Sequence, residues 1–396
     1  MAQTGFFIIA DVTGYTAFLT QSELEHAQGI LEGLFEALLD NLKTPLVLSN
    51  FEGDAILCYA PDSAVVQGHA ILDASENLYC AFAEALGTME RNTTCPCNAC
   101  TNIPNLDLKL VIHHGEFVLQ KMGDRRELAG PDIILTHRLL KNNVTTATGI
   151  KAYALVTESA VLAMKADEYF AELPSQTEEH EHMGGTKYYV HPLEPVWERR
   201  RLQQRRFVGP NDSLWVYPAE FELPVSPSRA WAYITEPTYR QRWQHLDEVT
   251  ASGQDKGRTG VGTVLHCVHG KRVFLFDIVD WHPFDYLTYE IPILLGYICR
   301  QTVEFAPVEG GTRITLREAK VFAGGSRFRR IFGAMLMAAF GKLLRTKTIR
   351  REIAALSEIA QEEAETGQVE HVVSAEVTKQ DVKAAARSGL PNSSPA

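Results

Sequence analysis

Two aspartates stand where an apolar run meets a glycine turn, a placement that suits a divalent cation. Asp11 closes the run Gly5-Phe-Phe-Ile-Ile-Ala and precedes Val-Thr-Gly14-Tyr-Thr16; Asp54 follows Asn50-Phe-Glu-Gly53 and precedes Ala-Ile-Leu-Cys-Tyr59. Carboxylate oxygens are the ligands that Mg²⁺ or Mn²⁺ accepts. Two of them on adjacent strands can hold the ion over a nucleoside triphosphate, the arrangement of phosphoryl and nucleotidyl transfer. Read singly, each aspartate serves equally well as a turn residue after its strand. A second group is Cys95-Pro-Cys97-Asn-Ala-Cys100. Its spacings let three thiolates converge on one soft ion, either zinc or an iron–sulfur centre, with Cys80, His113 or His114 as fourth ligand through the fold. A thiol-rich surface loop or a redox pair would have the same sequence. His180 and His182, in Glu178-Glu-His-Glu-His, could pass for metal ligands, but their acidic, polar surroundings beside Gly184-Gly185 read as a solvated loop.

These residues must be placed by regular elements, and the pattern before Pro192 alternates between strand and helix. Phe6–Ala10 reads as a short buried strand. Leu24, Ala27, Ile30, Leu31, Leu34, Phe35, Leu38 and Leu39 recur at helical spacing within 22–42. Residues 45–50 and 55–59 form a hairpin around Phe51–Asp54, and a second long helix covers 64–88. A strand over 106–113 turns at Gly115 into a partner over 116–121, a helix follows over 132–142, and 187–191 is again a strand. That order predicts an α+β sandwich with helices on one sheet face. The five arginines of 195–206 have no aromatic side chains between them, so they read as the solvated face of a basic linker rather than a phosphate site.

From about 214 the pattern changes to a strand, a short helix (227–234), five further strands and one long closing helix. In that last helix Phe328, Phe332, Met335, Leu336, Ala339, Phe340 and Leu343 share a face, which reads as core packing against the sheet. Between 321 and 351 there are eight basic residues and no acid, which leaves contact with anionic lipid as a minor alternative. The end of the chain is polar and small-residue-rich and cannot bury a core. The expected organisation is therefore 1–192, a linker at 193–213, a second domain at 214–364 and a disordered tail at 365–396. A length of 396 residues fits two domains and a tail. The net charge of −11 argues against broad nucleic-acid binding. No apolar stretch approaches the ~20 residues of a membrane span, and the start lacks a basic region before its apolar run. Seven cysteines form no obvious paired framework, so a cytoplasmic protein with reduced thiols is expected.

The first 192 residues carry a resemblance. Phe7-Ile-Ile-Ala-Asp11-Val-Thr-Gly14-Tyr-Thr16 resembles the opening metal motif of class III adenylate/guanylate cyclases, and Asn50-Phe-Glu-Gly53-Asp54 resembles their second. Leu110-Val-Ile-His113-His-Gly115-Glu is similar to the strand after the middle helices. Arg126-Glu127-Leu-Ala-Gly130-Pro-Asp-Ile-Ile134-Leu-Thr-His-Arg138 is similar to the segment bearing base-reading and transition-state residues. The resemblance implies a ferredoxin-like cyclase fold in which Asp11 and Asp54 hold Mg²⁺ or Mn²⁺. It further implies that Asn50 and Glu127 read the base of a nucleoside triphosphate, with ATP favoured, and that Arg138 contacts the triphosphate. Asn50 and Glu127 replace the usual lysine and aspartate. Ile134 stands where the family carries a ribose-orienting asparagine, so a weak cyclase or a nucleotide-binding pseudo-cyclase is implied. Sites of this family form between two subunits, which implies a homodimer.

Residues 214–362 resemble the START-like (polyketide cyclase/dehydrase and lipid transport) superfamily. The opening strand turns into Ser226-Pro-Ser-Arg-Ala-Trp231, and Trp243 and Trp281-His282-Pro283-Phe284 follow in the expected places. The implied fold is a helix grip, a curved sheet around one long helix with a cavity for a hydrophobic small molecule or lipid. Met335 and Met337 are candidates for its wall. No catalytic group stands out there, and His266 and His269 read as ordinary strand residues.

Overall fold

The computed structural model describes residues 2–65, 68–92, 95–122, 125–181, 183–203, 205–293, 297–324, 327–336 and 342–365. His182, Met337 and residues 366–396, where the tail is expected, lie outside them. The chain divides into two compact units, the first ending at Leu202 and the second beginning at Gln203. Both mix helix and strand, so the molecule is α+β.

The first unit runs β1 (Gln3–Thr13), α1 (Tyr15–Thr20), α2 (Leu24–Asp40), β2 (Val47–Glu52), β3 (Ala55–Pro61), α3 (His69–Asn92) and α4 (Asn98–Thr101). It continues with β4 (Asp107–Met122), β5 (Arg125–Ala129), α5 (Pro131–Leu139), α6 (Val144–Thr148), β6 (Tyr153–Thr157), α7 (Glu158–Met164) and α8 (Asp167–Phe170). It closes with β7 (Ser175–His180), β8 (Gly184–Pro192) and α9 (Glu194–Leu202). The basic segment expected as a linker thus begins as a helix. The strand order is β2-β3-β1-β4-β6-β8-β7, with β5 added to β4. Only β4 and β6 run parallel; the other pairs are antiparallel.

The apolar run of β1 explains its central position. Phe7 and Ile9 pack with Leu57, Phe117 and, from α5, Ile133. By strand alternation Phe6, Ile8 and Ala10 point to the other face, and they are buried just as fully. The sheet is therefore covered on both faces at its centre, which corrects the expectation of helices on one face only. The turn expected at Gly115 is also absent: β4 runs straight through it, paired to Gly5 of β1. The missing side chain makes room for α5 instead, because a Cβ on Gly115 would lie 2.3 Å from the Asp132 carboxylate.

The second unit runs β9 (Ala219–Leu223), α10 (Pro227–Thr235), α11 (Pro237–Gln244), β10 (Glu248–Ser252), β11 (Val264–His269) and β12 (Arg272–His282). It ends with β13 (Tyr286–Pro292), β14 (Tyr297–Val308), β15 (Gly311–Phe322), α12 (Arg327–Leu336) and α13 (Lys342–Glu365). Its strands form one antiparallel sheet in the order β10-β11-β12-β13-β14-β15-β9. Ser226 caps α10 by accepting from the Arg229 backbone N–H, and this turns Trp231 inward. Trp231 is fully buried against Trp281, Phe284 and Phe305. The helix filling the grip is α13, through Ile349, Leu356, Ile359 and Ala360. The expected core packing is corrected at Phe332 and Met335, which are 49% and 66% exposed; Ala339 and Phe340, and the side chains of Phe328, Leu336 and Leu343, lie outside the described residues. Among the described residues no helix is long and apolar enough to cross a membrane.

Candidate active site and cysteine cluster

Pairing of β1 with β3 brings Asp11 opposite Ala55, one residue beyond Asp54. The β2–β3 connection is two residues long. Gly53 takes its first position at φ +68°, the geometry such a hairpin requires of a glycine. The backbone N–H of Val12 donates to the Asp54 carbonyl at 3.0 Å, which ties the hairpin tip to β1 beside Asp11. Burial, and then the Asp11 charge, push the Asp54 carboxyl above the usual carboxylate range. The hydroxyls of Thr13 and Tyr15, in the residues that follow Asp11, are buried with no hydrogen-bond partner among the described residues. Burial and the Asp54 charge push the Tyr15 phenol up as well. Two neighbouring carboxylates are oxygen ligands of the kind a hard divalent cation takes.

One cation is already present. Lys109 Nζ lies 2.9 Å from Asp11 Oδ2, and both side chains are largely sheltered. It arrives there because Lys109 on β4 is the register partner of Asp11. Sequence reasoning missed this residue; the available signal was a single charge inside the apolar strand Leu108–Ile112.

The base and triphosphate candidates sit elsewhere. Asn50 follows a bulge in β2, and its amide donates to Glu52 Oε1 at 3.0 Å. His137 Nδ1 is 3.1 Å from the other oxygen of Glu52. Glu127 is exposed on β5, the strand packed beside β2. Ile134 and Arg138 are one turn apart on the outer face of α5; Ile134 is 53% exposed. Arg138 Nη1 donates to the Glu181 carbonyl at 2.7 Å. The chain therefore brings Asp11 close to Asp54, leaves Asn50 half-buried, and leaves Glu127, Ile134 and Arg138 exposed.

His113 and His114 are engaged away from the cysteines. His113 is buried between Thr157 and Asp132, and His114 meets Asp62. Burial outweighs the Asp132 carboxylate and holds the His113 imidazole below its usual pKa. Cys80 is buried in α3, and burial pushes its thiol up to about 11. None of the three is the neighbour expected for Cys95, Cys97 and Cys100. That neighbour is His26, from the first turns of α2, a residue for which no local sequence signal exists.

In the second unit the space between α13 and the sheet is a cavity of about 30 Å³, lined by Phe221, Arg240, Trp243, Tyr289, Glu352 and Leu356 among others. That volume holds about two waters. Arg240, 1% exposed, donates to the Ile234 carbonyl and the Tyr289 hydroxyl and lies over the Phe276 ring. The fully buried Glu318 accepts from both Arg345 and Gln301.

In the first unit Asp11 and Asp54 lie close together where β1 pairs with β3, and the other candidate residues lie on β2, β5 and α5. The second is START-like: residues 217–356 match the family described as polyketide cyclase / dehydrase and lipid transport. Residues 31–148 match a family described as protein of unknown function (DUF2652). The uncharacterized protein Rv2561/Rv2562 of Mycobacterium tuberculosis is 32% identical over 161 residues, 40% of this chain and 71% of that protein. The chain belongs to the family of that mycobacterial protein. Solved structures similar in fold include the guanylyl cyclase Cya2, 15% identical with a TM-score of 0.38, over 48% of this chain and 92% of that one. The adenylyl cyclase CyaB from P. aeruginosa is 14% identical with a TM-score of 0.34, over 53% and 98% of the respective chains.

Proposed function

We propose that the first unit is a divergent class III nucleotide cyclase domain. It takes ATP, turns it slowly into cyclic AMP and pyrophosphate, and is biased by a hydrophobic ligand of the START-like domain. The observation that supports this reading is that strand pairing sets Asp11 beside the hairpin tip bearing Asp54, where burial and the Asp11 charge push the Asp54 carboxyl up. Mg²⁺ or Mn²⁺, held by these two carboxylates, supplies charge neutralisation on the triphosphate and a more acidic ribose hydroxyl. The chain's own groups do the positioning. Asn50 can donate to a ring nitrogen, and Glu127 can accept from the adenine amino group. Arg138 would contact the triphosphate, exchanging its bond to the Glu181 carbonyl for one to a phosphate oxygen. Ile134 donates nothing, and loss of one positioned contact of this kind costs on the order of 10²–10³ in rate. Slow turnover follows. Because the aspartates and the other four residues serve different halves of a shared site, two copies of the chain complete it.

The test is production of cyclic nucleotide from ATP and GTP by the purified full-length protein, with Mg²⁺ and then Mn²⁺, and with Asp54→Ala as control. Metal-dependent product that disappears in Asp54→Ala supports the reading. No product, together with no metal-dependent nucleotide binding, would falsify it.

One observation favours a second reading. Lys109 already neutralises Asp11, as expected of a pseudo-cyclase that serves as a dimerisation scaffold for a lipid-handling domain. Metal-independent dimerisation with no nucleotide binding, in both the native chain and Lys109→Met, supports that reading over the first.

A further inference from the structure

We infer that His26, Cys95, Cys97 and Cys100 form a structural zinc site that anchors the loop following Asp11. The four ligand atoms all lie within 4.8 Å of one another. His26 Nδ1 is 3.2 Å from Cys97 Sγ and 3.9 Å from Cys95 Sγ. Ligands at tetrahedral zinc, with bonds of about 2.0–2.3 Å, stand roughly 3.5–3.8 Å apart, so the set needs only small adjustments to close on one ion. All three cysteines are free thiols.

The surroundings are built to present these atoms. Glu23, just before α2, accepts from the backbone N–H groups of Asn98 and Ala99 at 3.2 and 3.0 Å. This fastens the turn that bears Cys97 and Cys100 onto the helix that bears His26. The Cys100 N–H donates to Cys97 Sγ at 3.4 Å, which holds that sulfur toward the turn. Thr101 donates through both backbone and hydroxyl to the Cys97 carbonyl, fixing the turn from its other end.

Three thiolates and one imidazole select zinc over the oxygen-seeking Mg²⁺ or Ca²⁺. Four protein ligands leave no open position for a substrate, so the ion is structural. What it secures is visible downstream. The short 3-10 turn Ile103–Asn105 follows α4 directly, and the Asn105 carbonyl sits 2.7 Å from where a Cβ on Gly14 would be. Gly14 is the turn residue between β1, which carries Asp11 near its end, and α1. Zinc thus ties α2 to the segment that buttresses the Asp11 turn, independently of whether the carboxylate pair carries out chemistry.

The experiment uses the full-length protein purified without chelator or affinity metal. Elemental analysis is expected to give one zinc per chain, with X-ray absorption at the zinc edge reading three sulfurs and one nitrogen. His26→Ala is expected to weaken zinc retention against a competing chelator at least tenfold, and Cys97→Ser more, while His114→Ala leaves it unchanged. Zinc release is expected to speed proteolysis within 13–23. Should Cys97→Ser fail to fold, the absorption spectrum of the native protein still decides. No stoichiometric zinc, another metal in its place, or retention indifferent to His26→Ala overturns the proposal.

Discussion

Lys109 shows how one side chain can reset a site. Its ammonium takes up the charge of Asp11 that a metal would otherwise meet, so a divalent ion must displace it. Lys109→Met is expected to raise Mn²⁺ affinity about three- to tenfold, the scale of one partly sheltered ion pair. Isothermal calorimetry without nucleotide checks this; unchanged affinity means the lysine does not compete. Ile134→Asn lies on an exposed helix face, where substitutions stay within about 0.5 kcal/mol. It is expected to leave thermal stability unchanged while raising any cyclase rate, and a rate that stays flat points to misalignment elsewhere. His113 gives a pH dependence. Burial holds its folded pKa below the unfolded value of about 6.5. Its contribution to stability is therefore complete above that value and is lost as pH falls through it toward the folded pKa. The urea midpoint of the native chain should fall more between pH 7.5 and 5.5 than that of His113→Gln. Equal falls in the two would exclude His113 as the source.

At the scale of elements, the Asp11 site depends on turns with no spare room. Gly14 sits at φ +86° against the Asn105 carbonyl. An alanine there meets both an unfavourable left-handed backbone and a close contact, each costing about 1–2 kcal/mol. Gly14→Ala should lower the melting temperature by several degrees, whereas Gly29→Ala, on an open face of α2, should not lower it; calorimetry of the pair separates a tight turn from a general glycine effect. Helix α13 carries a different constraint. Arg345 binds the carboxylate of the fully buried Glu318 through two nitrogens. Arg345→Met leaves that carboxylate with the uncharged side chains of Gln301 and Cys299, and breaking one partner of a buried pair costs about 3–5 kcal/mol. Chemical unfolding of the variant should show that loss, and a change below about 1 kcal/mol would mean the ion pair contributes little to stability.

The whole molecule joins two architectures in one chain, and the proposed catalytic unit is two chains. Mixing Asp54→Ala with Arg138→Ala should restore about one quarter of native activity, since half the dimers are mixed and each has one intact site of two. Activity no higher than that of either variant alone would place the whole site within one protomer. The START-like unit has polar groups at its heart: Arg240 and Glu352 line the cavity between α13 and the sheet.

The sequence by itself determined the local grammar. The run 5–10 is continuous apolar, so β1 had to be a central strand. The Gly53-Asp54 turn had to be a hairpin tip, and the spacing of Leu31, Leu34 and Leu38 had to be a helix with one buried face. These signals are carried by neighbouring residues, which is why the α+β class and the Asp11–Asp54 pair were legible. Tertiary structure decided the partners. Strand register put Lys109 against Asp11, and the docking of α2 on the cysteine turn put His26 beside Cys97. Room for Asp132 turned Gly115 from a bend into a straight strand. Occupation of the grip by α13 left Phe332 and Met335 of α12 exposed. Each outcome depends on which distant surface fills a space first, and no local pattern encodes that.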